Sequence, residues 1–184
     1  EENVAVGYNS LRTNSTGDYN TAIGSQALYS NASGHYNTAT GREGLKLTTG
    51  DYNTGLGYRA GDNITSGVGN VIIGSVDAAS ATGDRQLMIT GYDGTTTTTW
   101  ISGDSSGNLT FPATVSAATA FVPDAQDGAA LGTTSLQFSD LFLADSAVLG
   151  FGDDNDTTLT HTDGTGLTLN STNKLCFYDT ALYI

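Results

Sequence analysis

A five-residue pattern recurs five times in the first 74 residues of the chain. Each copy starts with asparagine, ends with glycine, and carries small or aliphatic residues and threonine between them. The copies are Asn3-Val-Ala-Val-Gly7, Asn20-Thr-Ala-Ile-Gly24, Asn37-Thr-Ala-Thr-Gly41, Asn53-Thr-Gly-Leu-Gly57 and Asn70-Val-Ile-Ile-Gly74. The asparagines are 17, 17, 16 and 17 residues apart. So short a period leaves room for two short strands and two turns, which is typical of one coil of a β-solenoid.

The two faces of the repeated strand are predicted to differ. Side chains alternate between faces, so the asparagine, the third position and the glycine of each copy share one face. Because a coil of about 17 residues is narrow, we expect this face to line a lumen that accepts only small groups. The asparagines are then predicted to form a structural ladder, each amide bonding its counterparts about 4.8 Å away. This asparagine file comprises Asn3, Asn20, Asn37, Asn53 and Asn70.

The fourth position of each copy is predicted to point outward. It forms a file that is apolar in four of the five copies, and an apolar file on the outside of a narrow coil requires a partner chain. This fourth-position file comprises Val6, Ile23, Thr40, Leu56 and Ile73.

The remainder of each coil is predicted to hold a second strand and a turn. The second strand follows the glycine and contains a small residue and then leucine, as in Ala27-Leu28 and Gly44-Leu45. A further glycine stands three residues before the asparagine, as Gly34 does before Asn37, and predicts a turn with positive φ there.

One tyrosine per coil stands beside that turn, in Asp18-Tyr19, His35-Tyr36 and Asp51-Tyr52. Two interpretations stay open: the rings cover the edge of the solenoid, or they form an exposed ladder that stacks on sugars. The second makes a candidate receptor-binding set of Tyr19, Tyr36, Tyr52, Asp18, His35 and Asp51.

The period is not visible after Val76. Strand patterns follow at Leu87–Ile89, Thr95–Ile101 and Asn108–Phe111, and an alanine-rich piece from Ala113 to Val122 is weakly compatible with a helix. Alternation at 148–151 and 159–162 predicts short strands that suit a triple β-helix or β-prism. The predicted organisation is all-β: a homotrimeric β-solenoid (β-roll) over 1–78, an irregular β-rich connector over 79–128, and a trimeric β shaft segment over 129–184.

Three stretches carry a family resemblance. Gly17-Asp-Tyr-Asn-Thr-Ala-Ile-Gly-Ser-Gln-Ala-Leu-Tyr-Ser-Asn31 and its copies at Gly34 and Gly50 resemble the YadA-like head repeats of trimeric autotransporter adhesins. They are more similar to the repeats of phage tail fibres, because the usual period of autotransporter heads is shorter than the period in this chain. The stretch Leu131-Gly-Thr-Thr-Ser-Leu-Gln-Phe-Ser-Asp-Leu-Phe-Leu143 resembles a tail-fibre segment that leads into a trimeric shaft, and 147–161 resembles a repeat of marine phage structural proteins. The resemblance implies a parallel homotrimer.

Composition and charge narrow the possible functions. The chain of 184 residues has 24 glycines and only 14% charged residues, so it has few large apolar side chains with which to build a round core. Its net charge of -13 and the lack of a basic cluster argue against nucleic-acid binding. No apolar run approaches the roughly 20 residues that cross a bilayer. We expect a fragment or processed product, since no initiator methionine or signal peptide is visible.

Candidate chemistry is scarce in the sequence. The two histidines, His35 and His161, lie in different segments and suggest no nucleophile and base, so we expect no enzyme, no catalytic residue and no cofactor. The acidic run Asp153–Asp156 is interpreted as a solvated turn, with calcium binding as the alternative. Cys176 lies between Leu175 and Phe177 and is interpreted as a buried thiol.

These observations predict a structural and adhesive protein. We expect a homotrimeric tail fibre of the virion that contacts other tail proteins and a host cell-surface glycan or protein. The alternative is a bacterial trimeric surface adhesin or extracellular filament of the same build. A polysaccharide depolymerase fits less well, because such enzymes have longer coils with aromatic-rich clefts around their paired carboxylates. An ice-binding solenoid also fits less well, because Val4 and Val71 interrupt the threonine file.

Overall fold

The computed structural model describes residues 2–117, 131, 134–135, 137–151, 157–164 and 166–169. Within these residues the chain has eleven β-strands and no helix, which confirms the all-β class. The chain divides into two compact units, Glu1–Ala120 and Phe121–Ile184. The acidic run at 153–156 and Cys176 lie outside the described residues.

The first unit is a β-solenoid of about five turns, as the repeat predicts. Its strands stack in parallel and without offset, so that each signature residue lies directly above its counterpart, as in Ala5, Ala22, Ala39 and Gly55. The strands are β1 (Val4–Val6), β2 (Thr21–Ile23), β3 (Thr38–Thr40), β4 (Thr54–Leu56), β5 (Val71–Ile73) and β6 (Leu87–Tyr92).

The repeat extends one strand beyond the last copy visible in the sequence. The start of β6 pairs in parallel with β5, and Met88 stands opposite Ile72. Gln86 takes the place of the asparagine, and its main-chain N–H donates to Asn70 Oδ1 at 2.8 Å. The sequence pattern does not show this coil because glutamine replaces asparagine there, although it carries the same amide group.

The predicted second strand of each coil is wrong. The structure has tight turns at these positions, and Leu28 and Leu45 adopt left-handed backbone conformations with φ of 50° and 46°. Such φ values cost non-glycine residues about 1 to 2 kcal/mol each. Two compensations are visible: Leu28 N–H donates to Gly44 O in the next coil at 3.1 Å, and both leucine side chains are fully buried.

Positive φ at the turn glycine is also a wrong prediction. The left-handed residue is the tyrosine two positions later, with φ of 61° at Tyr19, 58° at Tyr36 and 59° at Tyr52. Glycine is needed at Gly34 for space instead, because a Cβ there would lie 2.5 Å from Gly50 O in the next coil. Close stacking of the main chain therefore selects this glycine.

The lumen holds larger side chains than its perimeter suggests. Leu28, Leu45, Ile64 and Ile72 are fully buried among small residues. Gly55 shows how they fit, since a Cβ there would lie 2.7 Å from Leu45 Cγ. A large side chain in one position is therefore matched by a small residue beside it, as Leu45 is by Gly55.

The solenoid continues into an antiparallel hairpin. Strand β7 (Thr97–Gly103) pairs with β6 through a register shift between Ile89 and Thr90, and β8 (Leu109–Thr110) pairs with β7. Trp100 packs against Gly91, where a Cβ would lie 2.6 Å from the indole. Residues 113–117 are not helical, and the rest of the alanine-rich piece lies outside the described residues.

The second unit contains a three-stranded antiparallel sheet. Its strands are β9 (Val148–Phe151), β10 (Thr157–Thr162) and β11 (Gly166–Leu169), with β10 in the centre. Leu159 stands opposite Leu149 on one side and Leu169 on the other.

We expect the substitution Gly24→Ala to destabilise the chain by about 2 to 4 kcal/mol. Gly24 has φ of 134°, and an added Cβ would lie 2.5 Å from Gly41 O. Gly44→Ala is the matched control, because its Cβ would make an ordinary 3.6 Å contact with Ala39, and we expect a change within about 1 kcal/mol. Chemical denaturation checks both variants, and equal midpoints would contradict this account of the glycine stacking.

Candidate functional site

The asparagine file lies inside the solenoid. Asn20, Asn37, Asn53 and Asn70 are buried, and Asn3 at the open end is partly buried. The amide oxygen of each accepts the main-chain N–H of the next member, at 2.8 Å from Asn20 to Asn3 and 2.9 Å from Asn37 to Asn20. The predicted amide-to-amide bond is present only in the last rungs, where Asn70 Nδ2 donates to Asn53 Oδ1 at 2.9 Å.

A second hydrogen bond from each asparagine fixes the turn glycine. Asn20 Nδ2 donates to Gly34 O at 2.8 Å, and Asn37 Nδ2 donates to Gly50 O at 2.8 Å. Each asparagine therefore satisfies one donor and one acceptor of the coil above it. Both lie away from water, where an unpaired polar group costs about 1 to 3 kcal/mol.

A shorter polar file accompanies the first and is not predicted from the sequence. It consists of Asn14, Asn31 and Thr48, each eleven residues after a signature asparagine. Asn31 is fully buried, accepts Gly34 N–H at 2.9 Å and donates to Gly34 O at 3.0 Å. The signal that could have identified it is this same period of 17 residues. Ile64 ends the file by placing a buried aliphatic side chain in the same position.

The three candidate tyrosines form a continuous stack on one edge of the solenoid. The ring centroids of Tyr19 and Tyr36 are 5.0 Å apart at an interplanar angle of 4°, and those of Tyr36 and Tyr52 are 4.9 Å apart at 6°. Both faces of the Tyr36 ring are therefore covered by its neighbours. The stack presents ring edges and hydroxyl groups along its length, and it cannot offer the face of Tyr36 to a sugar.

The polar residues beside the tyrosines join one coil to the next. His35 Nδ1 accepts the main-chain N–H of Asp18 at 3.0 Å, and Asp51 Oδ1 accepts that of His35 at 2.8 Å. Asp84 Oδ1 does the same for Val68 at 2.9 Å. The structure thus brings all six candidate receptor-binding residues together and gives His35 and Asp51 a contact within the fold.

The tyrosine stack ends at Gly69. The main chain identifies the matching positions, since Tyr52 N–H donates to His35 O at 3.0 Å and Gly69 N–H donates to Asp51 O at 3.0 Å. Gly69 supplies no ring, and in the next coil Arg85 occupies the matching position, since its N–H donates to Val68 O. The stack is therefore three rings long.

The described residues contain no group of three or more histidine, cysteine, aspartate or glutamate side chains placed to hold a metal ion. His35 belongs to the first unit and His161 to the second, where its Nδ1 lies 3.6 Å from Asp145 Oδ1. Within the described residues there is no helix of the length and apolar character that a membrane-spanning helix requires.

No family model, no curated protein and no solved structure matches this chain. Its function therefore has to be inferred from its own residues.

We expect Asn37→Ala to lower the free energy of unfolding by about 1 to 3 kcal/mol per chain, because it leaves the Gly50 carbonyl and the Asn53 N–H unpaired. Asn20→Ala leaves the Asn37 N–H unpaired but not the Gly34 carbonyl, which still accepts from Asn31, so it should cost less than Asn37→Ala. Asn108→Ala is the control on an exposed turn: it removes a solvent-exposed hydrogen bond to Asp104 and leaves no buried group unpaired, so we expect a change below about 1 kcal/mol. Unchanged melting of Asn37→Ala together with lost surface binding would make the asparagines a binding site instead.

Proposed function

We propose that this chain is part of a homotrimeric tail fibre of a phage, which gives rigid reach and attaches the particle to its host. The observation that carries the proposal is the fourth-position file. Val6, Ile23 and Leu56 are 56%, 41% and 48% exposed in the single chain. An exposed file that is apolar in every coil except the third, where Thr40 stands, is typical of an interface between chains.

The thin core of the solenoid supports the same proposal. Its buried apolar residues are mostly alanine, leucine and isoleucine, without a buried aromatic ring. A narrow core of this kind contributes little burial per residue, and packing three files around one axis would add apolar burial that the single chain lacks. Because each coil contacts only its neighbours, the stack gains length without changing its cross-section, which suits a fibre.

The second unit supports a trimeric shaft independently. Leu149 and Leu159 share one face of the sheet with Leu167, which pairs with His161. Leu149 and Leu167 are exposed in the single chain. In a triple β-helix or β-prism, three chains would cover such faces for each other.

A substitution in the fourth-position file tests the trimer. We expect the unmutated chain to sediment as a trimer and Leu56→Asp to remain monomeric or unfolded, because it would place three carboxylates near one axis. Leu47→Asp is the matched control, since Leu47 is 46% exposed but lies outside the file, and it should remain trimeric. A folded monomer of the unmutated chain would refute the proposal.

Attachment would rest on short-range contacts. Each chain carries a net charge of -13, and most bacterial surfaces are also anionic, so long-range attraction cannot supply the affinity. Repetition over three chains and several fibres would turn weak contacts into lasting ones. The tyrosine stack, with Asp18, His35 and Asp51 beside it, would contribute its row of hydroxyl groups to a host glycan or protein.

The triple variant Tyr19→Phe, Tyr36→Phe and Tyr52→Phe tests this contribution. It keeps the ring stacking, so we expect a melting temperature close to that of the unmutated trimer, and it removes the hydroxyl groups that would bind the receptor. Adsorption to host cells should fall at least about three- to tenfold, the effect of losing a single net hydrogen bond of about 0.5 to 1.5 kcal/mol. Undiminished adsorption would leave the stack with a structural role alone.

A further inference from the structure

The coils lose their strict register after Gly61. In earlier coils the leucine N–H donates to a carbonyl seven residues after the next asparagine, as from Leu28 to Gly44. Gly61 N–H instead donates to Val76 O at 2.8 Å, and Val76 lies six residues after Asn70. The fifth coil is therefore one residue shorter here, and the carboxyl group of Asp77 lies beside that of Asp62, where burial and this neighbour raise the pKa of Asp77.

A cavity of about 380 Å³ opens at this irregularity. Two tyrosines, two aspartates and one arginine supply most of its functional groups, and the volume falls at the low end of the range of about 300 to 1,000 Å³ for ligand sites. Its lining residues are Tyr58, Arg59, Asp62, Ser75, Val76, Asp77 and Tyr92. We call it the Tyr58–Tyr92 cavity.

Contacts hold both tyrosines before any ligand is bound. The guanidinium of Arg42 lies 5.7 Å from the centroid of the Tyr58 ring, and the hydroxyl of Tyr92 donates to Gly94 O at 2.8 Å. No other aromatic ring stacks on either tyrosine in the described part of the chain, in contrast to Tyr36. Ordered aromatic groups bind with little loss of conformational entropy.

The polar groups of the cavity are also held in place. Arg59 Nε is hydrogen-bonded to Asp62 and lies 3.6 Å from Glu43 Oε2. Burial raises the pKa of Asp77, and the neighbouring carboxyl group of Asp62 raises the pKa further. The lining has two carboxyl groups, those of Asp62 and Asp77, against the single guanidinium of Arg59, and this balance disfavours an anionic ligand.

We propose that the Tyr58–Tyr92 cavity binds one neutral hexopyranose unit of a surface glycan. The apolar face of the sugar would pack against a tyrosine ring, while its hydroxyl groups would donate to Asp62 and Asp77. The two carboxyl groups would disfavour an acidic sugar relative to a neutral one. This assignment rests on the proposed attachment function and supplies uncovered ring faces, which Tyr36 in the tyrosine stack does not have.

Amide NMR of the full chain tests binding directly. The probes are the methyl glycosides of glucose, galactose and mannose, with methyl glucuronide as the anionic comparison. We expect at least one neutral glycoside to shift the amide signals of Gly61, Val76 and Tyr92, and methyl glucuronide to bind at least about tenfold more weakly. The proposal fails if no neutral glycoside shifts these signals, or if the glucuronide binds equally well.

Two variants decide whether the cavity itself is responsible. Tyr92→Ala should weaken the neutral glycoside about three- to tenfold, the effect of losing one aromatic wall. Tyr8→Ala is the control, because Tyr8 follows Gly7 as Tyr58 follows Gly57 but does not line the cavity, and it should bind unchanged. If Tyr92→Ala binds as tightly as the unmutated chain, the proposal is wrong.

Asp77→Asn is the second variant and does not depend on removing a large side chain. It keeps the shape of the carboxyl and removes its charge, so the discrimination against methyl glucuronide should shrink at least about threefold. Unaltered discrimination would contradict the assignment.

Cell adsorption separates this proposal from the fibre function. Adsorption that Tyr92→Ala leaves intact, in a chain that trimerises, would reject the cavity as the receptor site and retain the fibre. Glycoside binding at the cavity in a chain that neither trimerises nor adsorbs would retain the cavity and reject the fibre.

Discussion

Hydrogen bonding between successive coils, at the spacing of neighbouring strands, is the constraint on which the rest of the structure depends. Each coil has one strand of only three residues, so side chains must complete the main-chain pairing. Asn37 shows how: its amide pairs with the Asn53 N–H and the Gly50 carbonyl of the next coil. Every coil must then keep the same path, and glycine is required wherever one main chain lies directly on another.

The same constraint determines which residues face outward. With the asparagines and the third position committed to the lumen, the alternation of the strand leaves the fourth position exposed. The stacked coils therefore pair their asparagine amides and main-chain groups with one another but leave the fourth-position file uncovered, through Ile23 and Leu56. Hydrogen bonds between the coils together with an apolar file left in contact with water are the physical basis for proposing a trimer.

The sequence predicts the regular part of this fold well, because exact repetition reveals which residues are stacked. It fails where residue type does not determine geometry, since nothing about Leu28 or Tyr36 indicates a left-handed backbone. It also misses the last coil, because Gln86 stands where the pattern requires asparagine. The tyrosine set could be predicted as one cluster, but its face-to-face stacking could not. The Tyr58–Tyr92 cavity arises from a one-residue shortening near Asp77, which only the three-dimensional register reveals.

The central claim is that the fourth-position file is the inner surface of a homotrimer. Cryo-electron microscopy of the purified, unmutated chain tests it most directly. The account predicts threefold density in which three parallel solenoids place Val6, Ile23 and Leu56 toward a common axis, with the asparagine file inside each lumen. Separate single solenoids, or an assembly in which this file faces solvent, would contradict it.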